Sequence, residues 1–251
     1  MAQFDGTVYS ASLGMMTAIA VSLPAEGREQ PGGLPVLYLL HGLSDNHSCW
    51  LRRTAVDRYA EEYGIAVVMP EVQRSFYCDM AHGPAYFTYI ADELPQICQR
   101  LFRLSDKRED TFIAGNSMGG YGALKAALSR PERFAAAAGF SSAADVRCRP
   151  ILDMAEGYAI HGGELRDRDD LFYLAEKAAR QPDGCPRLYM TCGLADFLYE
   201  DNQKFRAHVQ TLGLPLTYEE WEGGHTWDFW DASVRRAMAF FMPPENKEDA
   251  R

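Results

Sequence analysis

The sequence predicts an α/β protein, with a mostly parallel sheet of about eight strands and helices on both faces. Two observations predict it. Short apolar runs alternate with segments of helical period along most of the chain. The runs are continuous rather than alternating, which strands buried on both faces require. At 251 residues and 47% apolar content, the chain is long enough to bury one substantial core.

The elements follow in order. Residues 7–23 read as two N-terminal strands forming an antiparallel pair. Residues 35–40 (PVLYLL) are a continuous apolar run, and residues 65–69 (IAVVM) are another, stopped by Pro70. Residues 111–114, 134–138 and 187–191 complete the buried set, and 216–221 predicts a final strand. Between them, Val56, Tyr59 and Tyr63 share a helical face. So do Ile90, Leu94, Ile97 and Leu101, where Pro95 predicts a kink or break. Phe205, Val209 and Leu212 keep the same spacing and end at Gly213, a C-terminal cap. Trp230, Val234, Ala237, Met238 and Phe241 make the last stripe, stopped by Pro243 and Pro244. Residues 1–251 thus read as a single domain. Residues 143–169, the least periodic stretch, predict a small cap or a long loop, and the charged tail 245–251 a frayed end.

Charge and cysteine usage exclude several classes. A formal net charge of −10 argues against sequence-independent binding of nucleic acid. The N-terminus has no Lys or Arg ahead of an apolar stretch, so it does not read as a secretory signal. The run 15–23 is too short to span a bilayer. A cytoplasmic protein without a membrane partner is expected. The 6 cysteines include no C-x-x-C pair and no His at ligand spacing from two of them. Free thiols and no metal are the expectation.

The chemistry is concentrated at residues 114–122 (AGNSMGGYG). Gly115-x-Ser117-x-Gly119 lies between the strand-like run 111–114 and a helix-like run from Tyr121 to Leu128. A serine hydroxyl is a poor nucleophile unless a sharp turn presents it and a base accepts its proton. Side chains at either glycine would obstruct such a turn. Among the 6 histidines, His225 follows the last predicted strand, at the sheet edge where chemistry gathers in open α/β folds. His208 lies inside a helical period, His161 in the irregular stretch, and His41 precedes the serine, the wrong order for a base on this architecture. Asp196 follows the strand at 187–191 and suits the acid that orients the base. Glu200 and Asp201 compete with it but sit where helix capping explains them, and Asp145 and Asp153 precede that strand. The oxyanion donors expected are the backbone N–H of Met118 and that of Leu43, with Gly42 as the fallback, in the loop after the run at 35–40.

Four stretches of the chain resemble the esterase D branch of the α/β-hydrolases, and its tributyrin-esterase-like members most: 37–44 (LYLLHGLS), 112–122 (FIAGNSMGGYG), 193–199 (GLADFLY) and 224–230 (GHTWDFW). The resemblance implies the α/β-hydrolase fold and a carboxylesterase with Ser117, Asp196 and His225 as its catalytic triad. The Gly-His-Thr-Trp around His225 resembles tributyrin and feruloyl esterases more than S-formylglutathione hydrolases, which carry Asp-His-Ser-Tyr there. Asn116 departs from the family's usual His or Leu.

The expected reaction is hydrolysis of small-molecule esters through an acyl-enzyme, with no cofactor. The stretch after Phe140 is too short for a large lipase lid, which favours short acyl groups, including acetylated-sugar or feruloyl-type aryl esters. Phe76, Tyr77, Tyr86, Phe197 and Trp227 are candidate pocket residues, although ordinary core packing accounts equally well for Phe197 and Tyr86. Thioester hydrolysis, acyl transfer by the same triad and a non-catalytic binding protein are the alternatives. A homo-oligomer is compatible with the sequence.

Overall fold

The computed structural model describes residues 1–25, 32–147, 156–181 and 183–242. Its centre is an eight-stranded sheet in the order β1-β2-β4-β3-β5-β6-β7-β8. The strands are β1 (Ala2–Ser10), β2 (Met15–Leu23), β3 (Val36–Leu40), β4 (Ala66–Pro70), β5 (Thr111–Asn116), β6 (Ala136–Phe140), β7 (Arg187–Gly193) and β8 (Leu216–Trp221). β1 pairs antiparallel with β2, and β2 antiparallel with β4. The other five pairings are parallel. This is the α/β-hydrolase fold.

Helices cover both faces: α1 (Cys49–Arg53), α2 (Val56–Tyr63), α3 (Tyr86–Thr88), α4 (Leu94–Phe102), α5 (Met118–Ser129), α6 (Gly157–His161), α7 (Leu171–Ala179), α8 (Tyr199–Thr211) and α9 (Trp227–Phe241). Side chains alternate across a strand, so each buried strand feeds two cores. Val36, Tyr38 and Leu40 pack with residues of α4, α5, α7 and α8. Leu37 and Leu39 pack with α1, α2 and α9, where Trp50, Val56, Trp230 and Phe241 lie. The continuous apolar runs of the sequence are this two-sided burial.

Departures from the expected boundaries have local causes. β1 begins at Ala2, ahead of the predicted pair, because it is a sheet edge whose first six residues are exposed and carry no apolar signal. β6 begins at Ala136 rather than at residue 134 and runs on to Phe140. Pro95 has no N–H for the carbonyl of Ala91, and the helix there widens into a π-turn over Tyr89–Glu93, between α3 and α4. Leu101 was expected on the buried stripe but is 59% exposed. Gly213 takes the left-handed conformation after α8, as its capping role requires.

Part of the stretch expected as a cap or loop, residues 148–155, lies outside the described residues, as do Cys148, Asp153 and the tail from Pro243 on. Its remainder holds α6 and a short 3₁₀ turn at Asp167–Asp169, tied to the loop before α3 by hydrogen bonds from Ala81 N–H to Ile160 O and from His82 N–H to Ala159 O. The 5 cysteines among the described residues are free thiols. No helix among those residues is long and apolar enough to cross a membrane.

Candidate active site

Ser117 sits between β5 and α5 with φ +57° and ψ −117°, a region that side-chain-bearing residues rarely enter. Its neighbours hold it there. Ser117 N–H donates to Phe140 O at 2.8 Å, and Ser117 O accepts from Tyr121 N–H and Ala143 N–H, each at 3.1 Å. The two flanking glycines are required by close approach. A Cβ on Gly119 would lie 2.7 Å from the Leu40 carbonyl carbon, and one on Gly115 would lie 2.6 Å from that of Gly119. α5 therefore packs directly on the end of β3, with the serine at the carboxyl edge of the sheet.

The structure brings Ser117, His225 and Asp196 together from three separate strand ends. His225 Nε2 is 3.0 Å from Ser117 Oγ, and His225 Nδ1 is 3.0 and 3.1 Å from the two carboxylate oxygens of Asp196. A carboxylate only accepts, so Nδ1 carries the ring proton and Nε2 is left to accept from the serine hydroxyl. Asp196 is 5% exposed. Burial pushes its carboxyl up, but the His225 ring, the Leu198 N–H at 2.8 Å and the Ser141 hydroxyl together hold it below the ordinary carboxylate value. The loops bearing the acid and the imidazole are joined: Leu194 N–H donates to Trp221 O, and Ala195 N–H to Gly223 O. The rivals Glu200 and Asp201 lie in the first turn of α8, whose N-cap is Leu198 without a side-chain capping bond, so they meet the helix dipole rather than cap it.

His225 is flanked by two aromatics. The Phe197 ring is 4.4 Å from it, and the edge of Trp230 is 4.9 Å away at 88°. Trp230 was assigned to the core stripe by sequence, and its contact with the imidazole had no signal there. Phe197 is 66% exposed. Of the other candidate aromatics, Tyr77 donates its hydroxyl to His41 O at 2.8 Å, at the start of the loop that borders Ser117. Phe76, Tyr77 and Tyr86 are at most 4% exposed within the larger core. Trp227 packs at 5.1 Å against both Trp50 and Trp230.

The loop after β3 borders the serine. A Cβ on Gly42 would lie 3.7 Å from Ser117 Cβ. His41 is 1% exposed and fixes this loop. A carbonyl only accepts, so His41 Nδ1 is protonated and donates to Gly42 O at 2.8 Å, while its Nε2 faces Val72 N–H at 3.2 Å and the Glu71 carboxylate at 3.5 Å. Asp45 N–H donates to the same carbonyl at 3.1 Å. In a trans peptide the N–H points opposite to the C=O, so two bonds on Gly42 O fix the direction of Leu43 N–H. Met118 N–H, in the first turn of α5, has no acceptor within its helix.

One buried cluster has metal-ligating residue types: Cys78, His161 and Asp169. A cation already occupies it. Lys125 Nζ donates to Asp169 Oδ1 at 2.6 Å, to Tyr77 O at 3.0 Å and to Cys78 Sγ at 3.2 Å. Burial raises the Cys78 thiol to about 11, which keeps it protonated. The residues present fit an internal ammonium rather than a metal ion.

A strained serine, an imidazole and a buried carboxylate at the carboxyl edge of this sheet define a serine hydrolase acting on carboxylic esters. The chain belongs to the Esterase family, whose sequence model matches residues 10–241. It is 32% identical over 258 residues to an acetyl esterase of Caldicellulosiruptor saccharolyticus, spanning 95% of this chain and 97% of that one. It superimposes on the Staphylococcus aureus fluorophosphonate-binding serine hydrolase FphF with a TM-score of 0.88 and 34% identity, over 96% of this chain and 98% of the other. The S-formylglutathione hydrolase FrmB of the same organism gives a TM-score of 0.86 and 34% identity, over 96% and 98% of the two chains.

Proposed function

We propose that this carboxylesterase cleaves short-chain acyl esters through an acyl-enzyme on Ser117. The observation that carries the reading is the relay from Ser117 Oγ through His225 to Asp196, with separations of 3.0 Å on both sides of the imidazole. His225 takes the serine proton as Oγ attacks the ester carbonyl, and the Met118 and Leu43 N–H groups hold the oxyanion. His225 then gives its proton to the departing alcohol, and water repeats the sequence to release the acid. The 32% identity to an acetyl esterase supports a small acyl group. Phe197, exposed beside His225, supports an aryl or sugar alcohol on the leaving side. Free thiols among the described residues support a reducing, cytoplasmic setting.

The test is a series of p-nitrophenyl esters of increasing acyl length, with a feruloyl ester as the aryl case and Ser117→Ala as control. Activity falls steeply beyond short acyl chains, and the variant loses about 10⁶-fold in kcat. A preference for long chains would refute the small acyl pocket. Retained turnover by Ser117→Ala would refute the nucleophile.

A second reading, thioester hydrolysis, is favoured by the 34% identity to the S-formylglutathione hydrolase FrmB. Competition between S-formylglutathione and p-nitrophenyl acetate decides between them by kcat/KM. Product analysis in the presence of added alcohol or sugar separates hydrolysis from acyl transfer.

A further inference from the structure

Tyr77 lies in the segment after β4, at the sheet edge beside the loop that follows β3. Its φ is +50° and that of Phe76 is +49°, so two bulky residues in succession take the left-handed region. Neighbouring groups hold Tyr77 there. Its N–H donates to Ser75 Oγ at 3.1 Å, and its carbonyl accepts from the buried ammonium of Lys125, on α5, at 3.0 Å. The ring also lies against α5: a Cβ on Gly122 would be 2.5 Å from Tyr77 Cγ. The far end of the ring reaches the loop after β3, where its buried hydroxyl donates to His41 O at 2.8 Å. A Cβ on Gly119 would lie 2.8 Å from that same oxygen, so Tyr77 grips the loop where it meets the first turn of α5. The next peptide is held too, since Gly42 O accepts from His41 Nδ1 at 2.8 Å and from Asp45 N–H at 3.1 Å. The two successive peptides that lead to Leu43 N–H are thus both fixed by their carbonyl oxygens.

We propose that Tyr77 is a positioning residue of this active site: seated on α5 by Lys125 and Gly122, its hydroxyl holds the His41 carbonyl and so sets Leu43 N–H relative to Met118 N–H. These two donors come from different segments of the chain, and both must point at one oxygen atom. Tyr77 spans the two segments, with its backbone on the helix that opens at Met118 and its hydroxyl on the loop that carries Leu43. The left-handed backbone is what lets one side chain reach both. The proposal rests on the reading of Ser117 as nucleophile and of these two N–H groups as oxyanion donors.

The experiment compares the parent with Tyr77→Phe, which keeps the ring and removes the hydroxyl, and with Gly213→Ala, a destabilised control at the amino edge of the sheet. It measures KM on p-nitrophenyl acetate, kcat per site titrated by a fluorophosphonate, Tm, and the inhibition constant of an aryl trifluoromethyl ketone. Ser117 Oγ adds to the carbonyl carbon of that ketone, its proton passes to His225, and the ketone oxygen becomes an oxyanion. Tyr77→Phe loses about tenfold in kcat and binds the ketone about tenfold more weakly, with KM within about twofold, because the lost bond acts on a charge that appears only after attack. Gly213→Ala keeps the parent's kcat and ketone affinity. Parental kcat and ketone affinity in Tyr77→Phe overturn the proposal whatever its Tm, and so does a loss confined to KM. An equal loss of kcat in Gly213→Ala also overturns it, since instability alone then accounts for the effect. If the parent itself forms no complex with the ketone, the reading of the nucleophile and its oxyanion donors fails, and the two failures are told apart.

Discussion

Lys125 is 1% exposed, and its ammonium is held by a carboxylate, a carbonyl and a thiol. Burial raises the Asp169 carboxyl, while Lys125 and Arg166 bring it below its ordinary value. Removing Lys125 leaves the buried Asp169 carboxylate to the Arg166 guanidinium, 2.8 Å away. Lys125→Met therefore lowers stability by about 3–5 kcal/mol, measured as a drop in the urea midpoint. The double variant Lys125→Met with Asp169→Leu recovers part of that loss. An unchanged midpoint in the single variant would contradict the pairing. Single residues also divide what sequence can and cannot disclose. The meeting of Ser117, Asp196 and His225 was legible because motif, chain order and strand ends coincide. The contact of Trp230 with His225 was not, because in the sequence Trp230 is one more apolar position of a core stripe. Lys125 reads as an ordinary polar position inside a helical run, since the carboxylate that pairs with it lies far along the chain.

At the scale of elements, α5 is seated on β3 by an approach that leaves no room for a side chain at Gly119. Gly119→Ala forces α5 away from the Leu40 backbone and displaces the serine that α5 follows. The expected result is a loss of about 3 kcal/mol together with most of the activity. Gly213→Ala is the contrast: φ is +70° and no atom lies within 4 Å, so its cost is conformational, about 1 kcal/mol, and activity is kept. Urea titration with parallel assays of both variants checks the pair. Elements were legible in proportion to their burial. β3, β4 and β5 lie under helices on both sides and announced themselves as apolar runs. β1, exposed along most of its length, was found only at its inner end. The π-turn before Pro95 was foreseen as an interruption but not in kind, because proline predicts a missing bond and not the widening that accommodates it.

In the molecule as a whole, several carboxyls share one sign of perturbation. Burial raises Glu71, but the His41 ring and the Gln73 and His47 N–H groups bring it from 4.5 down to about 2. Glu93, Asp169 and Asp196 are also lowered: each is raised by burial and lowered more by its partners. These folded values lie below the unfolded ones, so their stabilisation is complete above about pH 4.5 and is lost as the pH falls toward 2. Urea midpoints fall steadily across that window, and Glu71→Gln flattens the decline. A midpoint constant from pH 5 to 3 would show that these groups do not govern acid unfolding. The parallel sheet also collects the proposed active site from distant points of the chain: Ser117 after β5, Asp196 after β7 and His225 after β8. A ribosome delivers those points one after another. Once the turn bearing Ser117 has emerged, its serine lacks the proposed base until the segment around His225 is released and the edge strand β8 has docked. A nascent chain stalled before that segment is translated would be inert toward esters and toward fluorophosphonates. On that reading, catalytic competence waits for the last strand of the sheet and the segment that follows it.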